Sequence, residues 1–236
     1  MSDQQGVFKE SGSAPVDILK KWYHIPALTG VFILMLWTRV QSYGNFVQNG
    51  QVYFRGNDPW YHFRETSYLL SNYPRTMPFD VFTGFPTGYT AGQFGTLWDH
   101  IIVVSVWIAS PVMGSTEEVM LIMAPLAGSL VAIPTYFISK RFVGRIAAIG
   151  GTVTLALLPG TFFSYSLVGF PDHTAAEVLF QSIAVLWFLV AFGIAEREKP
   201  VWELVVDRDW MALKRPVSCA TAAGVGLGLY IWIWQP

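Results

Sequence analysis

Cysteine is nearly absent from this sequence. Cys219 stands alone in an apolar run, so no internal disulfide can form, and it reads as an inert residue of a membrane helix. Charge is scarce too: 13% of the 236 residues are charged, and 15 basic against 16 acidic residues leave a net charge of −1. A surface that tracks nucleic-acid phosphates needs an excess of Lys and Arg, so nucleic acid is excluded as a partner. No internal repeat, low-complexity tract, soluble-domain boundary or phosphate-cradling glycine pattern is present, which removes solenoids and nucleotide-binding folds of the common kinds.

What is present is grease. Apolar residues make up 53% and aromatics 16% of the chain, with mean hydropathy +0.41, the composition of an all-α polytopic membrane protein. Residues 1–21 are mostly polar and aperiodic and predict a cytoplasmic tail; 22–236 predict a transmembrane region. After Lys20-Lys21 and the interfacial pair Trp22-Tyr23, a run over about 25–43 has the length a spanning helix needs. It lacks a cleavage site and reads as a retained anchor, with Arg39 expected to snorkel to the far interface.

A long aromatic and polar stretch, about 44–118, predicts a structured external loop. Within it Trp60, Phe63, Ser67 and Leu70 share one helical face, predicting a helix that lies on the membrane with His62, Arg64, Glu65 and Thr66 turned away. The segment Leu97–Met113 is apolar but short. If it spanned, the basic clusters Lys140-Arg141-Arg145 and Arg197, Lys199, Arg208, Lys214, Arg215 would both lie outside, against the cytoplasmic bias of basic loops. It is therefore read as non-spanning. Further spans follow at about 119–139, 146–165, 174–195 and 217–234, with Pro125, Pro134 and Pro159 expected to kink or end helices. Asp58 and Asp172 then fall on one membrane face. The chain stops at Pro236 directly after an apolar run, and is expected to be part of a longer protein.

Two acidic helix starts carry the chemistry. Asp58-Pro59 fits an N-cap followed by proline at the first helical position, and Thr174-Ala175-Ala176-Glu177 fits a capping box, so each has a plain structural reading. Two carboxylates with His173 beside one of them, on one membrane face, also suit a hard divalent cation, Mg²⁺ or Mn²⁺, the latter accepting imidazole as well. Asp80 reads mainly as a loop stabiliser that can also approach the substrate, Asp99 and His100 as helix-start residues, and Glu177 as the capping partner.

Taken in order, Gly56-Asn57-Asp58, Phe79-Asp80-Val81-Phe82-Thr83-Gly84-Phe85-Pro86-Thr87-Gly88, Leu97-Trp98-Asp99 and Gly169-Phe170-Pro171-Asp172-His173-Thr174-Ala175-Ala176-Glu177 resemble the amino-terminal membrane half of the archaeal catalytic oligosaccharyltransferase subunit. The resemblance implies a GT-C-type glycosyltransferase fold, N-terminal part, with a long structured first external loop. It implies transfer of an oligosaccharide from a dolichyl or polyprenyl phosphate carrier to the Asn side chain of Asn-x-Ser/Thr, aided by Mn²⁺ or Mg²⁺. Asp58 becomes the first-loop ligand and catalytic residue, Asp172 the first ligand of the second-loop pair. That pair's third position is Thr174, where the family usually has a stronger ligand, so the place falls to His173, to the Thr174 hydroxyl or to water. Asp80 and Glu177 are candidate substrate contacts.

The partners so implied are a lipid-linked oligosaccharide, an acceptor protein and the membrane; the location is a multi-pass cell-membrane protein, amino terminus cytoplasmic and active site external. Later spans, an acceptor-contacting glutamate and a soluble domain with a Trp-Trp-Asp motif have no match in these residues, so the polypeptide alone is expected to be inactive. The rivals are another lipid-phosphate-sugar glycosyltransferase of the same fold, and a non-catalytic scaffold or transporter half. The second is disfavoured because the carboxylates stand at helix mouths and the spans are nearly uncharged.

Overall fold

Hydrocarbon offers the backbone no hydrogen bonds, so apolar runs of about twenty residues fold as helices. The computed structural model of the protein describes residues 22–90, 94–196 and 199–234. The expected tail 1–21, Arg197 of the later basic cluster and the final two residues lie outside these. Nine α-helices occur among the described residues: α1 His24–Val40, α2 Asp58–Asn72, α3 Leu97–Met113, α4 Thr116–Leu130, α5 Ala132–Leu157, α6 Thr161–Tyr165, α7 Thr174–Ala195, α8 Val201–Val206 and α9 Trp210–Ile233. Among the described residues four segments are long and apolar enough to cross a membrane: His24–Asn45, Thr116–Leu157, Thr174–Ala195 and Trp210–Ile233. Leu97–Met113 is apolar but shorter.

Thr116–Leu157 is not one straight rod. Val131 separates α4 from α5, and Gly144 takes non-helical angles, φ 78° and ψ 177°, inside α5. Along an unbroken helix Gly128 and Ala156 would stand about 42 Å apart. Instead both meet Arg39: the Ala156 carbonyl lies 3.4 Å from Nη1, and a methyl added at Gly128 would stand 3.4 Å from Nε. The chain doubles back at Gly144. Pro159 then forces Leu158 into an extended conformation and α5 stops at Leu157, so the expected continuous run to Tyr165 is divided, with α6 a separate turn.

Arg39 does not snorkel. It is fully buried, with Nε donating to Ser166 Oγ at 2.8 Å, Nη1 donating to the Met35 carbonyl at 3.2 Å, and the guanidinium over the rings of Phe162 and Phe163. Its surroundings supply carbonyls, a hydroxyl and π faces in place of water. The Arg39 carbonyl also accepts from Val168 N–H at 3.0 Å, fixing the segment that leads to α7.

After α1 the chain makes a small antiparallel hairpin, β1 Val47–Gln48 with β2 Gln51–Val52, around Asn49-Gly50, both at positive φ as a primed turn requires. Arg55 carries this layer to the α7 approach: its N–H donates to Gly169 O at 2.7 Å and its Nη2 to Ser164 O at 2.8 Å. Gly169 has φ +88°, and a methyl there would stand 2.2 Å from the Phe46 ring, so no other residue fits. The main core joins Trp98, Ile102 and Val106 of α3 to Val119, Met120, Met123 and Ala127 of α4 and Ala175 and Ala176 of α7. Along the α7–α9 seam Gly226 packs against Ala184, a close approach that small residues allow.

α2 turns much of its polar face into the protein. It buries Pro59, Tyr61, His62, Glu65, Thr66 and Leu69, while Trp60 is 38% exposed. Its buried polar residues find partners there, His62 on Asp99 of α3 and Glu65 on the Met77 N–H, while Phe63 and Leu70 of the apolar stripe pack partly against the core.

Candidate metal centre

The mouth of α7 is fastened on three sides. Arg55 holds Gly169, Trp98 Nε1 donates to the Pro171 carbonyl at 3.4 Å, and the Asp172 carboxylate turns back on its own helix. Asp172 Oδ2 accepts from the Thr174 N–H at 3.2 Å and from the Thr174 hydroxyl. Asp172 thus caps the helix. The expected capping box, Thr174 with Glu177, does not form: the helix begins at Thr174, His173 occupies the cap position, and no side-chain cap bond is made there. Glu177 is half-buried on the first turn, its N–H bonded to the His173 carbonyl.

Asp172 Oδ1 is buried and accepts no hydrogen bond. His173 Nδ1 at 2.9 Å and His62 Nε2 at 3.6 Å are close, but their N–H groups do not aim at it. The two imidazoles approach each other at 3.1 Å, His62 Nε2 to His173 Nδ1. On its other side His62 Nδ1 lies 2.8 Å from Asp99 Oδ1, and since a carboxylate only accepts, Nδ1 carries the proton. The His173 ring stacks on Trp234 at 3.8 Å between centroids, and Phe94 stacks on the same Trp234 side chain at 4.8 Å. Burial disfavours a charged His62, but Asp99 and Asp172 outweigh it and raise its pKa to about 10. Burial opposes ionisation of Asp172 as well, yet His173 and His62 hold it well below the usual carboxylate range.

His62, Asp172 and His173 each offer one ligand atom, all within 4.8 Å of one another. Two imidazole nitrogens and a buried carboxylate oxygen with no hydrogen bond fit a divalent cation of borderline character, such as Mn²⁺ or Zn²⁺, better than Mg²⁺, which prefers oxygen. Asp58 stands apart from this cluster. It is exposed at the first helical position of α2, one place later than the expected cap, with Asn57 before it and Pro59 after it. One turn on, His62 lies on the same face, and both line a cavity of about 540 Å³ whose other walls include Arg64, Thr83, Phe94 and Trp234. Asp80 is occupied elsewhere: Arg64, Thr83 Oγ1 and the Phe82 N–H all donate to its buried carboxylate. A second, larger groove of about 660 Å³ between α7 and α9 is lined by apolar residues such as Phe188 and Leu227 and holds no titratable group.

Sequence reasoning missed His62 and Asp99 as members of the centre, and Trp234 as its cover. The four-residue spacing from Asp58 to His62 was the available signal, since it places both on one helical face.

This mostly helical membrane chain has the GT-C-type glycosyltransferase fold, N-terminal part, as its structural relatives do. The archaeal oligosaccharyltransferase AglB from Archaeoglobus fulgidus, in complex with an inhibitory peptide and a dolichol-phosphate, superposes with a TM-score of 0.76 at 26% identity, over 92% of this chain and 24% of that one. The same organism's oligosaccharyltransferase in complex with Zn and sulfate gives 0.72 at 27% identity, over 88% and 25%. Residues 29–236 match the family described as oligosaccharyl transferase STT3, N-terminal. The chain belongs to that family. It is 45% identical over 228 residues to dolichyl-monophosphooligosaccharide–protein glycotransferase AglB of Haloferax volcanii, covering 95% of this chain and 21% of the relative. It is 31% identical over 176 residues to dolichyl-phosphooligosaccharide-protein glycotransferase 3 of Archaeoglobus fulgidus, covering 74% and 20%. The chain therefore spans about a fifth of the length of these curated relatives.

Proposed function

We propose that this chain is the amino-terminal membrane portion of an archaeal-type oligosaccharyltransferase, which moves an oligosaccharide from a dolichyl or polyprenyl phosphate carrier to the side-chain amide of Asn in Asn-x-Ser/Thr. The reading is carried by one observation: Asp58 and His62 face a single cavity while His62 also touches the Asp172-His173 cluster, so a carboxylate and a cation-binding group border one space. In the reaction the amide nitrogen attacks the anomeric carbon, the carbon–oxygen bond to the lipid phosphate breaks, and the proton lost by the nitrogen ends on the released lipid phosphate. The nitrogen is a poor nucleophile because its lone pair is delocalised into the carbonyl. Asp58, exposed on the wall of the cavity, accepts from the amide N–H₂ and weakens that delocalisation, and its carboxylate would add to the ligands of a cation. Asp172 and His173 would hold a divalent cation, Mn²⁺ more readily than Mg²⁺ on this donor set, and that cation would supply positive charge against the departing phosphate.

Arg64 on the same wall neutralises Asp80 and leaves part of its guanidinium to the cavity, so Asp80 shapes the substrate space from behind it. Glu177, one turn into α7, is assigned a lesser contact. The arrangement supported by the charge bias has a cytoplasmic amino terminus, five crossings with the return at Gly144, and the centre on the external face.

Labelled lipid-linked donor and an Asn-x-Thr peptide, presented to the full-length enzyme in membranes, test the proposal. Asp58→Asn and Asp172→Asn are each expected to lower transfer by at least about a hundredfold, the range for loss of one electrostatic contact to a transition state, without changing membrane insertion. Transfer to lipid or to Ser/Thr hydroxyls instead of Asn would refute it.

A further inference from the structure

We propose that His62, held in place by Asp99, is itself a ligand of the cation, bringing a second imidazole to the site beside Asp172 and His173. The inference rests on the reading that a divalent cation sits at the mouth of α7, and adds the residue that α2 contributes to it.

The geometry is that of a coordination shell. His62 Nε2, His173 Nδ1 and Asp172 Oδ1 are separated by 3.1, 2.9 and 3.6 Å. A cation bonded to nitrogen and oxygen at about 2.1 Å sets neighbouring donors about 3.0 Å apart in an octahedron and about 3.4 Å apart in a tetrahedron. All three separations fall at or close to that interval. The rival arrangement, a hydrogen-bonded cluster without metal, would aim an imidazole N–H at the carboxylate. Asp172 Oδ1 accepts none, although it is buried. Its partner oxygen, Oδ2, is already engaged by Thr174.

Both imidazoles are also set from behind. The Asp99 carboxylate fixes a proton on His62 Nδ1, so Nε2 is the nitrogen that faces the cluster, and a cation binding there displaces the proton Nε2 carries. This carboxylate–histidine pair crosses from α3 to α2 within the core, where Asp99 is fully buried, and a buried acid needs such a partner. The second ring is held flat against Trp234. A nitrogen-rich donor set of this kind selects a cation that tolerates imidazole and weakens the hold on Mg²⁺. Asp99 is a positioning residue; it acts through His62.

The test uses Mn²⁺ alone with the full chain purified in detergent, and reads binding by electron paramagnetic resonance. In the wild-type protein the nitrogen hyperfine spectrum of bound Mn²⁺ is expected to report two imidazoles. His62→Gln is expected to weaken Mn²⁺ binding at least tenfold, Asp99→Asn by about ten- to a hundredfold, and Asp172→Asn to abolish it. Mn²⁺ is expected to outcompete Mg²⁺ in wild type and to lose that advantage in His62→Gln. If His62→Gln and Asp99→Asn bind as wild type while Asp172→Asn does not, His62 is no ligand and the cation site stands. If Asp172→Asn also binds as wild type, or wild type binds no Mn²⁺, both readings fall. Where a variant does not fold, the wild-type spectrum decides alone: two imidazole nitrogens support the proposal and one overturns it.

Discussion

Glu65 is buried on the inward face of α2, with Oε1 accepting the Met77 N–H at 3.0 Å and Oε2 without a hydrogen bond. Burial pushes its pKa up to about 7 from 4.5. The folded state therefore holds more protons than the unfolded chain between those values, so this group makes stability fall as pH rises from 4.5 to about 7 and adds no further slope above. Thermal unfolding of Glu65→Gln and wild type at about pH 5 and pH 8 checks this; the variant is expected to lose part of the decline, and an identical decline in both would contradict it. Asp80 sits in the opposite electrostatic situation, held below its usual pKa by Arg64, Thr83 and Phe82 against the effect of burial. Arg64→Met strands that carboxylate and is expected to cost about 2 kcal/mol, less than a fully buried pair because the Arg64 side chain remains 29% exposed. At this scale Asp172 and His173 were legible because acidic and imidazole residues at a helix start are conspicuous. His62 and Asp99 were not, because a pattern suited to a helix lying on a membrane does not say which residue of another helix its inner face will meet. A burial pattern set by a partner 37 residues away leaves no local periodicity to read.

Helices and their ends were read with mixed success, and the failures have a common cause. Apolar length located α1, α7 and α9, and Pro159 located the end of α5. The start of α7 was assigned to Thr174 and Glu177 from sequence spacing, yet Asp172, drawn into the core by Gly169 and Pro171, took the capping work first. The Asn49-Gly50 hairpin carried an explicit turn signal inside a stretch read only as loop. Gly169 gives the sharpest test at this scale. Gly169→Ala combines a positive φ with a clash against Phe46, and is expected to destabilise the α7 approach by about 1–3 kcal/mol, whereas Gly150→Ala meets nothing within 4 Å and is expected to leave unfolding unchanged or slightly raised. Thermal unfolding of the two variants side by side separates strain at one bend from a general intolerance of alanine.

At the scale of the whole molecule the arrangement of crossings is testable with one reagent, because Cys219 is the sole thiol. In a Cys219→Ser background, Gln51→Cys is expected to react with a membrane-impermeant maleimide in intact cells, and Asp207→Cys only after lysis. Both positions are exposed, so access is governed by the membrane. Equal labelling of the two before lysis would overturn the five-crossing arrangement. The long-range ties explain why composition could establish a membrane bundle but not its interior: the contacts that assemble the centre join α2, α3, α7 and the end of α9, which are far apart along the chain.

The enclosure of Arg39 bears on how such a chain is made. Its hydroxyl partner Ser166 leaves the ribosome 127 residues later, roughly 6–25 s at a synthesis rate of about 5–20 residues per second. For most of that interval the first helix carries a cation whose only finished polar contact is the Met35 carbonyl of its own helix. The nascent anchor must therefore wait at the water boundary or within the insertion machinery, and slide to its final depth only when the later hairpin arrives to receive it.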